Sequence, residues 1–312
     1  MRPSLDDLAR RLPSRFLTRY APSPTGYLHL GHVVNAIYVW GLARALGGRV
    51  LLRMEDHDRQ RCRKTHEQAI LDDLDWLGLE PDVGPTPSFR GGPSPLRQSD
   101  CAAEYEEAVA RLRTSACVFA CDCSRRAIGQ RAGTRVDVEP RYPGTCRARD
   151  LEPAPGRGLR LAIDPGDEPF TDAMQGPHAN DPSRQCGDLL IRDRVGQWTY
   201  QFAVTVDDCR QGVDLVVRGL DLLESTARQI RLARLLGRPD PPVFCHHGLL
   251  FRSDGTKLSK SNRDTGVRDL RARGMTGAAV LGRAAFEAGL QAEPWPIDAV
   301  GLPSLFDTTA RR

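Results

Sequence analysis

A doubly wound α/β fold, with a parallel sheet covered by helices, is predicted by three features of this sequence. Near the start, β-prone strings alternate with stretches of helical period in the order strand, helix, strand, helix. The same alternation returns in the last third of the chain, after a long stretch of cysteines, turns and short strands. Between the first strand and the first helix lies "TRYAPSPTGYLHLGH" (18–32), with two prolines, two glycines and two histidines. Such a run breaks both helix and strand, so it is a loop. In doubly wound sheets, ligands bind at that position.

The elements follow in order. Residues 1–15 form a short helix or an extension. "RFLTRYA" (15–21) is a buried strand, and 33–47 a helix on Val33, Val34, Ile37, Tyr38, Leu42 and Leu46, stopped by a double glycine. "RVLLRME" (49–55) is the second strand. "THEQAILDDLDWLGL" (65–79) is the second helix, with Thr65 as N-cap and Gln68 completing a capping box. A Gly/Pro-rich stretch at 81–97 precedes a helix over about 99–113. The pattern changes from 115 to 190, which is the mark of an insertion. It returns with 188–208, the strand 214–219, the helix 222–237 and the strand 242–251. The last stretch is helical with loose connections.

These limits divide the chain into an N-terminal extension (1–15), the first half of the α/β domain (16–115), an insertion subdomain (116–190), the second half (191–265) and a short helical C-terminal segment (266–312).

With 40% hydrophobic and 27% charged residues, the composition is that of an ordinary globular protein. No apolar run approaches the roughly 20 residues that cross a bilayer. The N-terminus lacks the apolar centre of a secretory signal, so a cytoplasmic location without membrane contact is expected. The net charge of +4 is too mild to announce nucleic-acid binding. Arginine far outnumbers lysine, which suits phosphate recognition and equally a GC-rich genome. Nine cysteines without an export signal argue against a disulfide framework.

Two motifs carry chemistry. "HLGH" (29–32) stands at the start of the first long helix, where backbone amides and the helix dipole favour anions. His29 and His32 can donate to phosphate, and Gly31 lets a flat base approach the backbone. "GTKLSKSN" (255–262) lies more than 220 residues on, and its Lys257 and Lys260 make a cationic flap for a polyphosphate. Alone, each is compatible with a charged surface loop; the two together, at opposite ends of an α/β domain, are much rarer than either. A third motif, "CDC" (121–123) followed by "RYPGTC" (141–146), gives Cys121, Cys123 and Cys146 the spacing of a structural zinc site. The fourth ligand is open among Tyr142, Asp122, Asp137 and a histidine from elsewhere.

The pair "HLGH" and "KLSKS" resembles the two signatures of class I aminoacyl-tRNA synthetases. With "RYAPSPTGYLHLGH", "LLRMEDHDRQR", "YQFAVTVDD" and "VVRGLDLLEST", the chain resembles the glutamyl-tRNA synthetase branch over residues 16 to 265. That resemblance implies the Rossmann-like fold of class I synthetases and formation of a glutamyl-adenylate from glutamate and ATP, with Mg²⁺ implied by the ATP chemistry. His29, His32, Lys257 and Lys260 would hold the phosphates, and no general base is needed because the attacking carboxylate is already ionised. It further implies a glutamate pocket of Arg19, Ser23, Glu55, Tyr200 and Arg218. There Glu55 receives the ammonium, the two arginines take one carboxylate each, and Arg19 is favoured for the side-chain carboxylate. In the subfamily it most resembles, a tyrosine stands four residues before the last cysteine, as Tyr142 does.

Only 51 residues follow Ser261, too few for the anticodon-reading helical domain of longer relatives. With "RYPGTC" and "RGLDLLEST", this makes the resemblance strongest to the glutamyl-Q tRNA(Asp) synthetase family. Its members activate glutamate without tRNA and attach it to queuosine at the wobble position of tRNA(Asp). A monomer is the default expectation. The rival expectations are a tRNA-dependent glutamyl- or glutaminyl-tRNA synthetase lacking its anticodon domain, another nucleotidylyl transferase, and a non-catalytic tRNA-binding paralogue. The arginines of "RCRK" (61–64) and "CRARD" (146–150) are candidate RNA contacts.

Overall fold

The computed structural model describes residues 2–132, 139–250 and 266–307. Helix α1 (Leu5–Arg11) is capped by Ser4, whose side chain accepts from the Asp7 amide. Strand β1 (Leu17–Tyr20), helix α2 (Leu30–Ala45), strand β2 (Arg49–Leu52) and helix α3 (Lys64–Leu77) form the first half of the parallel sheet and its cover. The short α4 (Pro87–Arg90) and then α5 (Ala102–Ser115) lead into the inserted chain. That chain comprises β3 (Val118–Cys121), α6 (Arg125–Ala132), β4 (Gly158–Leu161), β5 (Glu168–Asp172), β6 (Gly176–Asn180), α7 (Pro182–Gln185) and β7 (Leu189–Arg192). The second half follows as α8 (Tyr200–Arg210), β8 (Leu215–Gly219), α9 (Thr226–Leu235) and β9 (Val243–His247), and then α10 (Val267–Ala272) and α11 (Gly277–Glu287).

The parallel sheet runs in the order β2-β1-β8-β9, so the chain leaves β1 toward one edge and returns through β8 toward the other. The point of reversal lies between β1 and β8. All four carboxyl ends open on one side, the side where doubly wound sheets bind ligands. The inserted chain forms a separate antiparallel sheet, β3-β4-β7, and a β5–β6 hairpin. The hairpin docks on the parallel sheet, with the Ala173 amide donating to the Phe244 carbonyl of β9 at 2.8 Å.

Several expected boundaries move, two of them at helix starts for a visible reason. Helix α2 begins at Leu30 rather than Val33, because His29 is its N-cap and His32 closes a capping box onto the His29 amide. Helix α3 begins at Lys64, and Thr65 is not its cap. Arg63 takes the N-cap position without a side-chain bond, pinned by its amide's hydrogen bond to the Pro24 carbonyl at 3.0 Å. A tertiary contact with the loop after β1 thus outweighs the local capping signal.

Helix α2 is buried on nearly every side, as suits a helix between a sheet and the C-terminal helices. Gly41 sits where a Cβ would lie 2.2 Å from Cε2 of the buried Phe306 ring. Gly41→Ala is therefore expected to cost about 1–3 kcal/mol by overpacking, seen as a lower urea midpoint. A wild-type midpoint would contradict this packing.

Candidate active site

A cavity of about 510 Å³ opens at the reversal point of the sheet. Its wall takes Arg19 from β1, His29, Gly31 and His32 from the loop and start of α2, Glu55 after β2, Tyr200 at the start of α8, and Arg218 from β8. Seven of the residues expected from the sequence thus meet around one space, although they come from five separate stretches of chain.

On one side the imidazoles are fixed by the backbone. Nδ1 of His29 accepts from the Gly31 amide at 3.1 Å, and Nδ1 of His32 accepts from the His29 amide at 3.1 Å. Both acceptor roles leave the ring proton on Nε2, the form that donates to an anionic oxygen. The ring centroids are 3.9 Å apart. Gly31 is required here for close approach, since a Cβ would lie 2.9 Å from Cε1 of His29. Nearby, His247 stacks on Tyr38 at 4.9 Å and lies 3.1 Å from the Asn35 amide nitrogen. Lys257 and Lys260 lie outside the described residues. The described ends of their stretch both border the cavity: Leu250 lines it, and Gly266 bridges to His29.

On the other side the charges are unequal. Arg19 donates from Nε to Asp208 at 3.2 Å and from Nη1 to the Val217 carbonyl. Arg218 is almost fully buried, yet all its partners are neutral. Nε lies 2.9 Å from Nε2 of His246, Nη1 donates to Gln229 at 2.7 Å, and Nη2 donates to Thr226 at 2.9 Å and to the Leu222 carbonyl. Among the described residues no carboxylate pairs with it. Burial, aided by Arg19, lowers its pKa against the opposing pull of Tyr200 and of Asp208, as expected of a cation with no carboxylate in contact. Such a guanidinium at a cavity wall has the chemistry to receive a carboxylate. Removal from bulk water, reinforced by Glu55, raises the Tyr200 pKa, so its hydroxyl remains a donor. Ser23 does not line the cavity, and its Oγ lies 3.9 Å from Cys62 Sγ.

Beneath the wall lies Arg53, with no exposed side chain. It donates to Glu55 at 2.9 Å, to Asp208 at 2.7 Å and to Gln211 at 2.9 Å, and its Nε is 3.8 Å from Asp207. Burial alone would draw the proton off Arg53; Asp208, Glu55 and Asp207 more than offset it. Burial would likewise push Asp208 up, and Arg53 and Arg19 more than offset it, holding that carboxyl below its ordinary range. Sequence reasoning missed Arg53, Asp208, His246 and Asp172. The first two stand inside motifs quoted above, "LLRMEDHDRQR" and "YQFAVTVDD".

In the insertion, Cys121, Cys123 and Cys146 bring their sulfurs within 4.8 Å of one another, a set that can hold a metal ion. Cys123 and Cys146 are 3.6 Å apart, and the Tyr142 hydroxyl oxygen is 3.5 Å from Cys121 Sγ while accepting from the Cys146 amide. Asp122 also approaches Cys146 at 3.3 Å, but it is paired with Arg149. Asp137 lies outside the described residues. Among the described residues no histidine joins the cluster. Among the described residues the surrounding apolar cluster is small, with Cys121, Ile128, Tyr142 and Cys146 buried.

The family model for the catalytic domain of class I tRNA synthetases (E and Q) matches residues 15–282. Glutamyl-Q tRNA(Asp) synthetase of Symbiobacterium thermophilum is 40% identical over 300 residues, covering 93% of this chain and 91% of that protein. The protein of the same name from Rhodobacter capsulatus is 41% identical over 281 residues, 84% of this chain and 97% of its own. The crystal structure of glutamate-tRNA synthetase from Elizabethkingia anophelis superposes with a TM-score of 0.76 at 24% identity, over 94% of this chain and 66% of that one, a likeness of fold. The chain therefore belongs to the glutamyl-Q tRNA(Asp) synthetase family, ligases of the class I aminoacyl-tRNA synthetase type.

Proposed function

We propose that this protein joins glutamate to ATP without tRNA, forming glutamyl-adenylate, and then transfers the glutamyl group to queuosine at the wobble position of tRNA(Asp). The observation that carries the first step is the buried Arg218, held by neutral partners alone, facing the same cavity as Arg19, Glu55 and the two helix-capping histidines. A cation in that state gains most from an anionic ligand. We therefore assign the glutamate side-chain carboxylate to Arg218 rather than Arg19, since Asp208 already neutralises Arg19 in part. Tyr200 adds a hydrogen bond, and Glu55, fixed by Arg53, receives the ammonium.

An oxygen of the substrate's α-carboxylate attacks the α-phosphorus of ATP; the bond to the bridging oxygen breaks and pyrophosphate leaves. His29 and His32, protonated on Nε2, donate to the phosphates. Lys257 and Lys260 would offset charge from the other side, with Mg²⁺ accompanying the nucleotide. The chain has three lysines in all, and two of them stand in this one stretch. In the second step a hydroxyl of the queuosine cyclopentene ring attacks the acyl carbon, AMP leaves, and an ester results. Two relatives of this name, similar over more than four-fifths of the chain, support this acceptor.

Charging of tRNA(Asp) with labelled glutamate is expected with queuosine-containing tRNA, the label being alkali-labile and on the anticodon stem-loop. Equal labelling of unmodified tRNA(Asp), or label at the 3′ end, would overturn the proposed acceptor.

We propose zinc as the ion of the cysteine cluster, with Tyr142 as fourth ligand. Burial and the cysteine hydrogen bonds push the Tyr142 phenol up, so a bound cation would be what draws its proton off. Zinc there would hold a subdomain that has little core. One zinc per chain is expected, and its removal by a thiol-reactive mercurial with chelator should lower Tm. Tyr142→Phe should weaken zinc binding at least roughly tenfold. A protein that neither carries nor takes up zinc would contradict the assignment.

A further inference from the structure

The hairpin of β5 and β6 belongs to the inserted chain, yet it ends beneath the glutamate pocket. Asp172, at the end of β5, divides its oxygens between two tasks. Oδ1 accepts the amides of Met174 and Gln175 at 2.9 Å each and closes the turn. Oδ2 lies 2.6 Å from Nδ1 of His246 on β9, and both side chains are fully buried. The imidazole's other nitrogen, Nε2, is 2.9 Å from Nε of Arg218.

Only one protonation state satisfies both contacts. Arg218 Nε can only donate, so His246 Nε2 must accept. Ionised Asp172 can only accept, so the imidazole proton sits on Nδ1. Burial, together with Arg218 and Arg19, outweighs Asp172 and keeps His246 neutral. Burial would push Asp172 up, but the His246 bond and the two turn amides hold it low. The row is thus carboxylate, neutral imidazole, guanidinium.

We propose that Asp172 and His246 are positioning residues for the amino-acid substrate, aiming Arg218 into the cavity without neutralising it. A carboxylate placed directly on Arg218 would orient it equally well, but it would cancel the charge and compete with the substrate for it. An imidazole spacer supplies the direction and brings no negative charge to the guanidinium. Its own direction and tautomer come from Asp172, so the insertion's hairpin becomes part of the amino-acid pocket. The inference rests on the reading of Arg218 as the partner of the substrate carboxylate.

The test uses the full chain. In pyrophosphate exchange, His246→Phe is expected to raise the KM for glutamate by about 10- to 100-fold, the scale of a misplaced contact, and to leave the KM for ATP within about twofold. His246→Gln, whose amide oxygen can stand where Nε2 stood, is expected to recover most of the loss. Asp172→Asn introduces a donor, permits the Nε2–H tautomer, and should also raise the glutamate KM. Nitrogen-15 NMR of the wild-type protein should show His246 with its proton on Nδ1. A wild-type glutamate KM in folded His246→Phe, equal impairment of the Phe and Gln variants, or an Nε2–H tautomer in the wild type would each overturn the proposal. Absence of glutamate-dependent exchange in the wild type would instead fall on the reading of the site, and the tautomer would still decide the hydrogen-bonded row by itself.

Discussion

Arg218→Met is expected to abolish most glutamate activation while leaving the fold intact. Truncating one partner of a buried, hydrogen-bonded charge pair costs about 2–5 kcal/mol, or roughly 30- to 5,000-fold in kcat/KM for glutamate. The other partner here is the substrate itself. What remains in the free protein is His246, Gln229, Thr226 and the Leu222 carbonyl, all neutral and bordering an open cavity. Removing a buried cation that lacks a counter-ion also removes its desolvation cost. Tm should therefore change little, and exchange should fall steeply. A large loss of Tm would mean that Arg218 is a structural cation, and the carboxylate receptor would have to be sought elsewhere.

Arg53→Met should fail differently, in stability as well as in activity. Arg53 contributes to no surface of the cavity, but it holds Glu55 and Asp208 and lies close to Asp207. Its loss leaves carboxylates buried with fewer partners, a change that costs about 3–5 kcal/mol. Both stability and activity should fall, the latter because Glu55 and, through Asp208, Arg19 lose their orientation. The pH dependence separates this from ordinary cavity formation. In the wild type the Asp208 carboxyl is held below its ordinary range, so the stability it contributes is present above the ordinary aspartate pKa and lost as pH falls through its lower, folded value. Without Arg53, burial is opposed by Arg19 and, more weakly, by Arg218, and the folded pKa of Asp208 rises. Protonation then relieves the unpaired charge, and the Tm gap between variant and wild type should narrow from pH 8 to pH 5. A gap independent of pH would indicate lost packing only.

The parallel sheet and the histidine loop were legible because their signals are local: the apolar period, the breakers between β1 and α2, and the cysteine spacing. The start of α2 was not, since an imidazole is not among the usual N-capping groups. Thr65 misled because spacing alone does not reveal that the Pro24 carbonyl already pins Arg63. The pocket residues Arg19, Glu55, Tyr200 and Arg218 were reached through resemblance. Their unequal charge state could not be, because it depends on what each guanidinium meets after folding. Asp172 and His246 stand 74 residues apart, one on an inserted hairpin and one on the central sheet, and only tertiary docking joins them. No period or motif links two such positions.

Glutamate-dependent ATP–pyrophosphate exchange with no tRNA present, run beside aspartate and glutamine, tests the central claim most directly. The account predicts exchange with glutamate, little with glutamine, whose neutral amide cannot satisfy Arg218, and none with aspartate, whose shorter side chain leaves its carboxylate short of that guanidinium. Silence with all three amino acids would contradict tRNA-independent activation, and equal exchange with glutamine would contradict the role given to the uncompensated charge of Arg218.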